Sequence, residues 1–193
     1  TASSPNANWS TSGVTTARCR ANPAITSGAR YVVVPLIVID PRREEITMRE
    51  AARMNVPVIA AGGISNAKGV AAAMALGASA VQVGTAYLLA PECSTSAIHR
   101  KALQSESARH TALTNLFSGR PARGIVNRVM RELGALSEFP PEFPLATPGI
   151  APLRAKAESM GSGDFSPLWA GQNTSGCREV SAAEITGDLA AAL

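Results

Sequence analysis

Two short pairs of residues carry the strongest chemical signal in this chain: Gly62-Gly63 and Gly84-Thr85. A glycine has no Cβ to shield its backbone N–H. Two such groups running into the start of a helix suit a phosphate. Gly84-Thr85 adds a further bare N–H and a hydroxyl that can donate to the same kind of group. Each pair also has a plain reading. A double glycine after a strand is an ordinary turn in many α/β proteins, and Thr85 also serves as a helix cap or as a hydroxyl bonded to a carbonyl. Two such turns ending neighbouring strands favour the phosphate.

The flanking residues predict the elements that must hold these pairs. Val56-Pro57-Val58-Ile59-Ala60 is a short apolar run closed by the glycines, and reads as a strand buried on both faces. Ser65 or Asn66 N-caps the helix that follows. That helix runs from Lys68 to Leu76, with Val70, Ala73, Met74 and Gly77 near helical spacing, and Gly77 is placed to close it in a left-handed conformation. Ala80-Val81-Gln82-Val83 is a second buried strand, ending at Gly84-Thr85. Strand, helix and strand of these lengths form a parallel βαβ unit. Both turns then sit at the C-terminal ends of strands, where α/β enzymes place their sites and where (β/α)8 barrels grip phosphate between their last loops.

Other residues with chemical potential are scattered. His99 and His110 fall in a helix expected from about Ala97 to His110, N-capped within Ser94-Thr95-Ser96, and both read as solvent-facing. Cys93 reads as a small packed residue with nothing nearby to lower its pKa. Arg120, Arg123, Arg128 and Arg131 form a basic string around Ile125-Val126; either one of them steadies an anionic ligand or all are surface charge. With Cys19, Cys93 and Cys177 there are too few cysteines for a disulfide frame, and no CxxC or His/Cys cluster has metal-ligand spacing, so no metal is expected.

PVIAAGGI followed by a helix and GASAVQVGTAYLLAPE resembles the flavin-phosphate half of the nitronate monooxygenases, formerly 2-nitropropane dioxygenases. The flavin-dependent enoyl-acyl-carrier-protein reductases are close relatives of that family. LTNLFSGRPARGIVNR, FPLATPGIAPLR and LWAGQ (Leu168 to Gln172) resemble the nitronate monooxygenases specifically, so the likeness covers about residues 56 to 190. It implies an α/β fold: a partial (β/α)8 TIM barrel comprising its last two β/α units, with a C-terminal helical and loop extension. It also implies a flavoprotein that binds FMN without covalent attachment, at Gly62, Gly63, Gln82, Val83, Gly84 and Thr85, with Gln172 a further position. The implied activity is the oxidation of alkyl nitronates by molecular oxygen. The family's catalytic histidine lies in an EAGGH string upstream of the PVIAAGGI strand. No such string occurs here, so no catalytic residue is assigned. The alternatives are a truncated, inactive FMN-binding remnant and an enoyl-acyl-carrier-protein reductase relative.

The whole chain sets bounds on these readings. It has 193 residues, where a (β/α)8 barrel typically takes about 250. Hydrophobic residues make up 46%, enough for a core, but aromatics only 4%, so small side chains must do the packing. The net charge of +4 comes without a basic cluster interleaved with aromatics, which argues against nucleic-acid binding. The longest apolar run, Tyr31 to Ile39, is too short to span a membrane, and no secretory signal is apparent. With few cysteines, the expected setting is reducing and cytoplasmic.

Residues 1–50 form an atypical segment, rich in Ser, Thr, Asn, Ala and Gly over residues 1–30, with Trp9 its only aromatic residue before Tyr31. They do not match the family, whereas 51–193 read as its FMN-binding part. Tyr31 to Ile39 has strand composition interrupted by Pro35, and Thr47 to Met54 reads as an amphipathic helix. Half a barrel leaves strand edges open, which favours a homo-oligomer. Downstream, Phe139 to Pro144 is a proline-rich connector, and a short helix is expected over Pro152 to Ser159. A terminal helix is capped by Ser181 and Glu184.

Overall fold

The computed structural model describes the backbone of residues 32–35 and the residues 57–191 and 193. The expected helix over Thr47 to Met54, Trp9, Cys19 and most of the Tyr31 to Ile39 run lie outside the described residues. The chain divides into two units, residues 1–83 with 190–193, and residues 84–189.

In the first unit, β1 (Val32–Pro35), β2 (Val58–Ala61) and β3 (Ala80–Gln82) form a parallel sheet in that order. Val33 pairs with Ile59, and Ile59 with Ala80. β1 ends at Pro35, which has no N–H to continue a ladder. Helix α1 (Ala67–Ala75) connects β2 to β3. Asn66 caps it by accepting from the Gly69 N–H at 3.0 Å. Its other end closes as a Schellman motif: the Gly77 N–H donates to the Met74 carbonyl at 2.9 Å and the Ala78 N–H to Ala73 at 3.1 Å. Gly77 takes the left-handed φ of 97° that this requires. The βαβ unit is as expected, but β2 is not buried on both faces. Val58 and Ala60 are buried while Ile59 and Ala61 alternate with them as half-buried residues, and Gln82 at the end of β3 is exposed.

In the second unit, a 3₁₀ turn (Thr85–Tyr87) leads to helix α2 (Ala97–Leu103), capped by Ser96. The single helix expected from Ala97 to His110 stops at Leu103. There the Ser105 N–H and hydroxyl both turn back onto the Ala102 carbonyl, and a separate 3₁₀ turn (Glu106–Arg109) follows. Next comes an antiparallel hairpin that the sequence reading did not include, β4 (Thr111–Thr114) with β5 (Ala122–Ile125), Leu113 facing Arg123. Helix α3 (Arg128–Leu133) follows.

Helix α4 spans Ala146–Ser159, beginning well before Pro152. Pro148 lies in its first turn, where a missing N–H costs nothing, and the carbonyl that Pro152 leaves without a donor is on an exposed face. Helix α5 (Ala182–Ala190) is capped by Ser181, whose Oγ accepts from the Glu184 N–H at 3.1 Å. Two apolar clusters hold this unit together. One gathers Leu89, Leu103, Ile125 and Leu168, and the other Phe117, Val129, Met130 and the partly buried Trp169. Among the described residues no helix is long and apolar enough to cross a membrane.

Candidate functional site

The first turn is built by backbone geometry. Gly62 and Gly63 take φ of 79° and 74°, a region closed to most side chains. A Cβ on Gly62 would meet nothing within 4 Å, so the space before this turn is open. The last residue pair of the parallel ladder sets Ala61 beside Gln82, so the Gly62-Gly63 turn and Val83 leave the same end of neighbouring strands.

The second turn is built by contacts across 86 residues of sequence: Thr85 Oγ1 accepts the Gly171 N–H at 2.8 Å. The Thr85 carbonyl accepts two donors, the Leu88 N–H at 3.1 Å and the Cys177 thiol at 3.1 Å. Gly84 beside it faces open space. The loop that brings Gly171 here continues the hairpin as a third, strand-like edge. Leu168 accepts from the Ile125 N–H at 2.8 Å, and the Ala170 N–H donates to Arg123 at 3.1 Å. Gly124 allows this approach, since a Cβ there would lie 3.0 Å from the Leu168 carbonyl oxygen. Gln172 follows directly and is half-buried. Trp169 packs edge-on against Phe117, ring centres 5.6 Å apart, as part of the second apolar cluster.

The segment after Thr85 is tied down in turn. Arg100 donates to the carbonyls of Leu89, Ala90, Cys93 and Thr95 at 2.7–3.2 Å. Thr186 gives its own hydroxyl proton to the Ala182 carbonyl, so Tyr87, 2.9 Å away, must be the donor between the two hydroxyls. The Glu92 carboxylate accepts the Ala182 N–H at the start of α5, at 3.1 and 3.2 Å.

These contacts put the chain's sulfur and nitrogen groups in context. His99 is not solvent-facing, because it packs against the Trp169 loop. Its Nε2 is enclosed without a hydrogen-bond partner. Burial lowers its pKa from the ordinary 6.5, opposed by a hydrogen bond at the Trp169 backbone. His110 is exposed, as expected. Burial pushes the Cys177 thiol up to about 11, so at neutral pH it keeps the proton that it donates to Thr85. Cys93 lies 3.0 Å from the Thr95 hydroxyl.

Three of the four arginines in the basic string have local partners. Arg120 lies over the Phe143 ring at 4.7 Å, Arg123 donates to Thr111, and Arg128 pairs with Glu132 at 2.7 Å. No group of three or more potential metal ligands exists among the described residues.

A family model described as nitronate monooxygenase matches residues 44–192. The chain belongs to the nitronate monooxygenase family. It is 45% identical over 140 residues to a nitronate monooxygenase of Pseudomonas aeruginosa, covering 72% of this chain and 40% of that protein. With a nitronate monooxygenase of Paraburkholderia phytofirmans it shares 40% over 146 residues, 75% of this chain and 40% of the relative. The chain thus spans about 40% of the length of these nitronate monooxygenases.

In structure it is similar to a nitroalkane oxidase of Streptomyces ansochromogenes, at a TM-score of 0.66 and 40% identity, covering 75% of this chain and 41% of that one. It is also similar to FabK of Thermotoga maritima, at 0.63 and 28%, covering 86% and 54%. Every position expected to hold a cofactor, from Gly62 to Gln172, falls inside the nitronate monooxygenase match. Two residues that hold Thr85, Gly171 and Cys177, are not among the positions the sequence predicts for the site. Gly171 was at least part of the LWAGQ string, whereas nothing in the sequence around Cys177 marks it.

Proposed function

We propose that this chain is the FMN-binding part of a nitronate monooxygenase-type oxidoreductase, one that oxidises alkyl nitronates with molecular oxygen. The observation that carries this reading is the state of Thr85. Its oxygen accepts the Gly171 N–H, which leaves its proton for another acceptor, beside a glycine that faces open space. Each unit by itself has chemistry that suits the phosphate of FMN. In the first it is the left-handed Gly62-Gly63 turn and the backbone of Gln82 and Val83. In the second it is Gly84, which faces open space, and the Thr85 hydroxyl, with Gln172 next to Gly171. When bound, FMN supplies the transfer of electrons from nitronate to oxygen. The protein's part is to bind, orient and shield it.

The fold is read as the last two β/α units of a (β/α)8 barrel with a C-terminal helical and loop extension over residues 51–193, preceded by the atypical segment 1–50. A homo-oligomer is part of this reading, as is a reducing, cytoplasmic setting. No base is assigned, because the 193 residues contain no EAGGH string and the His99 Nε2 is enclosed. Nitronates are already deprotonated, so their oxidation asks less of a base than that of neutral nitroalkanes.

The test is direct. The purified chain mixed with FMN should keep a flavin absorbance through gel filtration and consume oxygen with an alkyl nitronate. Its preference for nitronate over nitroalkane should exceed that of a full-length relative. Loss of all flavin on the column would overturn the reading. NADPH oxidation with an enoyl thioester, in place of oxygen uptake with the nitronate, would move the chain to the reductases.

A further inference from the structure

We propose that Gly171 and Cys177 are positioning residues, which hold Thr85 so that its hydroxyl keeps its proton for donation to the phosphate of FMN. The inference rests on the cofactor reading above and adds to it the residues that set the direction of the grip.

A hydroxyl has one proton and two lone pairs. At Thr85 the Gly171 N–H occupies one lone pair at 2.8 Å, so the hydroxyl proton cannot point back along that line. The second constraint acts on the backbone. The Thr85 carbonyl accepts both the Leu88 N–H and the Cys177 thiol, which fixes the peptide plane from which the side chain projects. The third is the rigidity of the holder. Residues 168–170 pair with Arg123 and Ile125 like an added strand, so Gly171 cannot swing away without breaking those bonds. Gly171 must also be small, since a Cβ there would sit 3.2 Å from Thr85 Oγ1 and press on the group it positions. Cys177 packs among Leu89, Leu103, Ile125 and Leu168, where a thiol is a small apolar group that still offers one proton.

A purely structural role for these contacts would affect any flavin alike. A role in aiming Thr85 affects only the flavin that carries a phosphate. The experiment compares FMN with riboflavin by fluorescence titration of the full chain. Gly171→Ala and Cys177→Ala should weaken FMN about tenfold, the loss of one hydrogen bond to a charged group, and leave riboflavin within about twofold. Cys177→Ser, which keeps a donor, should restore most of the FMN affinity. In the flavin-free chain, hydrogen exchange at the Gly171 amide should speed up in Thr85→Val and stay slow in Thr85→Ser, a readout independent of ligand.

Wild type that binds FMN while both alanine variants keep its FMN-to-riboflavin ratio overturns the inference and leaves the cofactor reading standing. So does a parallel loss of both flavins, or a Gly171 amide indifferent to Thr85→Val. Wild type that binds neither flavin ends both.

Discussion

Gly62 and Gly119 are both left-handed glycines, and they lack a side chain for different reasons. Gly62, at φ 79°, faces open space, so an alanine there meets only backbone strain. Gly119, at φ 84°, is wedged against the proline-rich connector: a Cβ would come within 2.5 Å of the Pro141 carbonyl oxygen and 2.6 Å of the Phe143 nitrogen. Gly62→Ala should therefore cost about 1–2 kcal/mol of stability from the backbone conformation alone. Gly119→Ala adds an overpacking cost of about 1–3 kcal/mol, because backbone atoms cannot rotate out of the way. Urea denaturation of the two variants should show Gly119→Ala clearly the less stable, and equal losses would contradict the close approach. The difference was only half legible in the sequence. A Gly-Gly pair closing an apolar run announces a turn, whereas the connector against Gly119 is more than 20 residues away and leaves no local trace.

At the scale of elements, the same contrast decides what could be read in advance. β2, α1 and β3 follow from signals within a few residues of each end: Gly62-Gly63, Asn66 and Gly77. The β4–β5 hairpin does not, because its connecting loop is long and holds the buried Leu116 and Phe117, so the run reads as one mixed segment. The start of α4 was hidden by prolines, which read as breakers yet are tolerated in a first turn and on an exposed face. Helix α2, of seven residues, is too short to be stable on its own and owes its place to tertiary contacts. Arg100 is the main one, donating to four carbonyls of the segment between Leu89 and Thr95. Arg100→Met should cost about 2–4 kcal/mol, since hydrogen bonds to a charged donor are lost and partly buried carbonyls are left without partners. Arg100→Lys should recover little of this, because a single ammonium cannot span what a guanidinium fork reaches. Thermal unfolding of both variants decides it, and a lysine variant as stable as wild type would show that charge alone suffices.

For the molecule as a whole, two half-buried groups, His99 against the 168–177 loop and Cys177 at its end, should shape the dependence of stability on pH from opposite sides. Burial lowers the pKa of His99 below its ordinary 6.5, so below that pH the unfolded chain binds a proton that the folded chain resists. Stability is then complete above pH 6.5 and falls as pH drops from 6.5 towards the folded value. Cys177 works in reverse. Its thiol rises from 9.0 to about 11 in the fold, so the unfolded chain releases a proton first and stability falls as pH climbs from about 9 to about 11. Both groups bear on the loop that carries Trp169, while the chain's other tryptophan is Trp9. In a Trp9→Phe background the fluorescence of Trp169 therefore reports the unit that contains them. Urea midpoints measured across the pH range should decline at both ends. His99→Gln should flatten the acid decline just below pH 6.5 and leave the alkaline one intact, and Cys177→Ala should do the opposite. If either substitution left its own limb unchanged, that side chain would not be the group that resists titration in the fold.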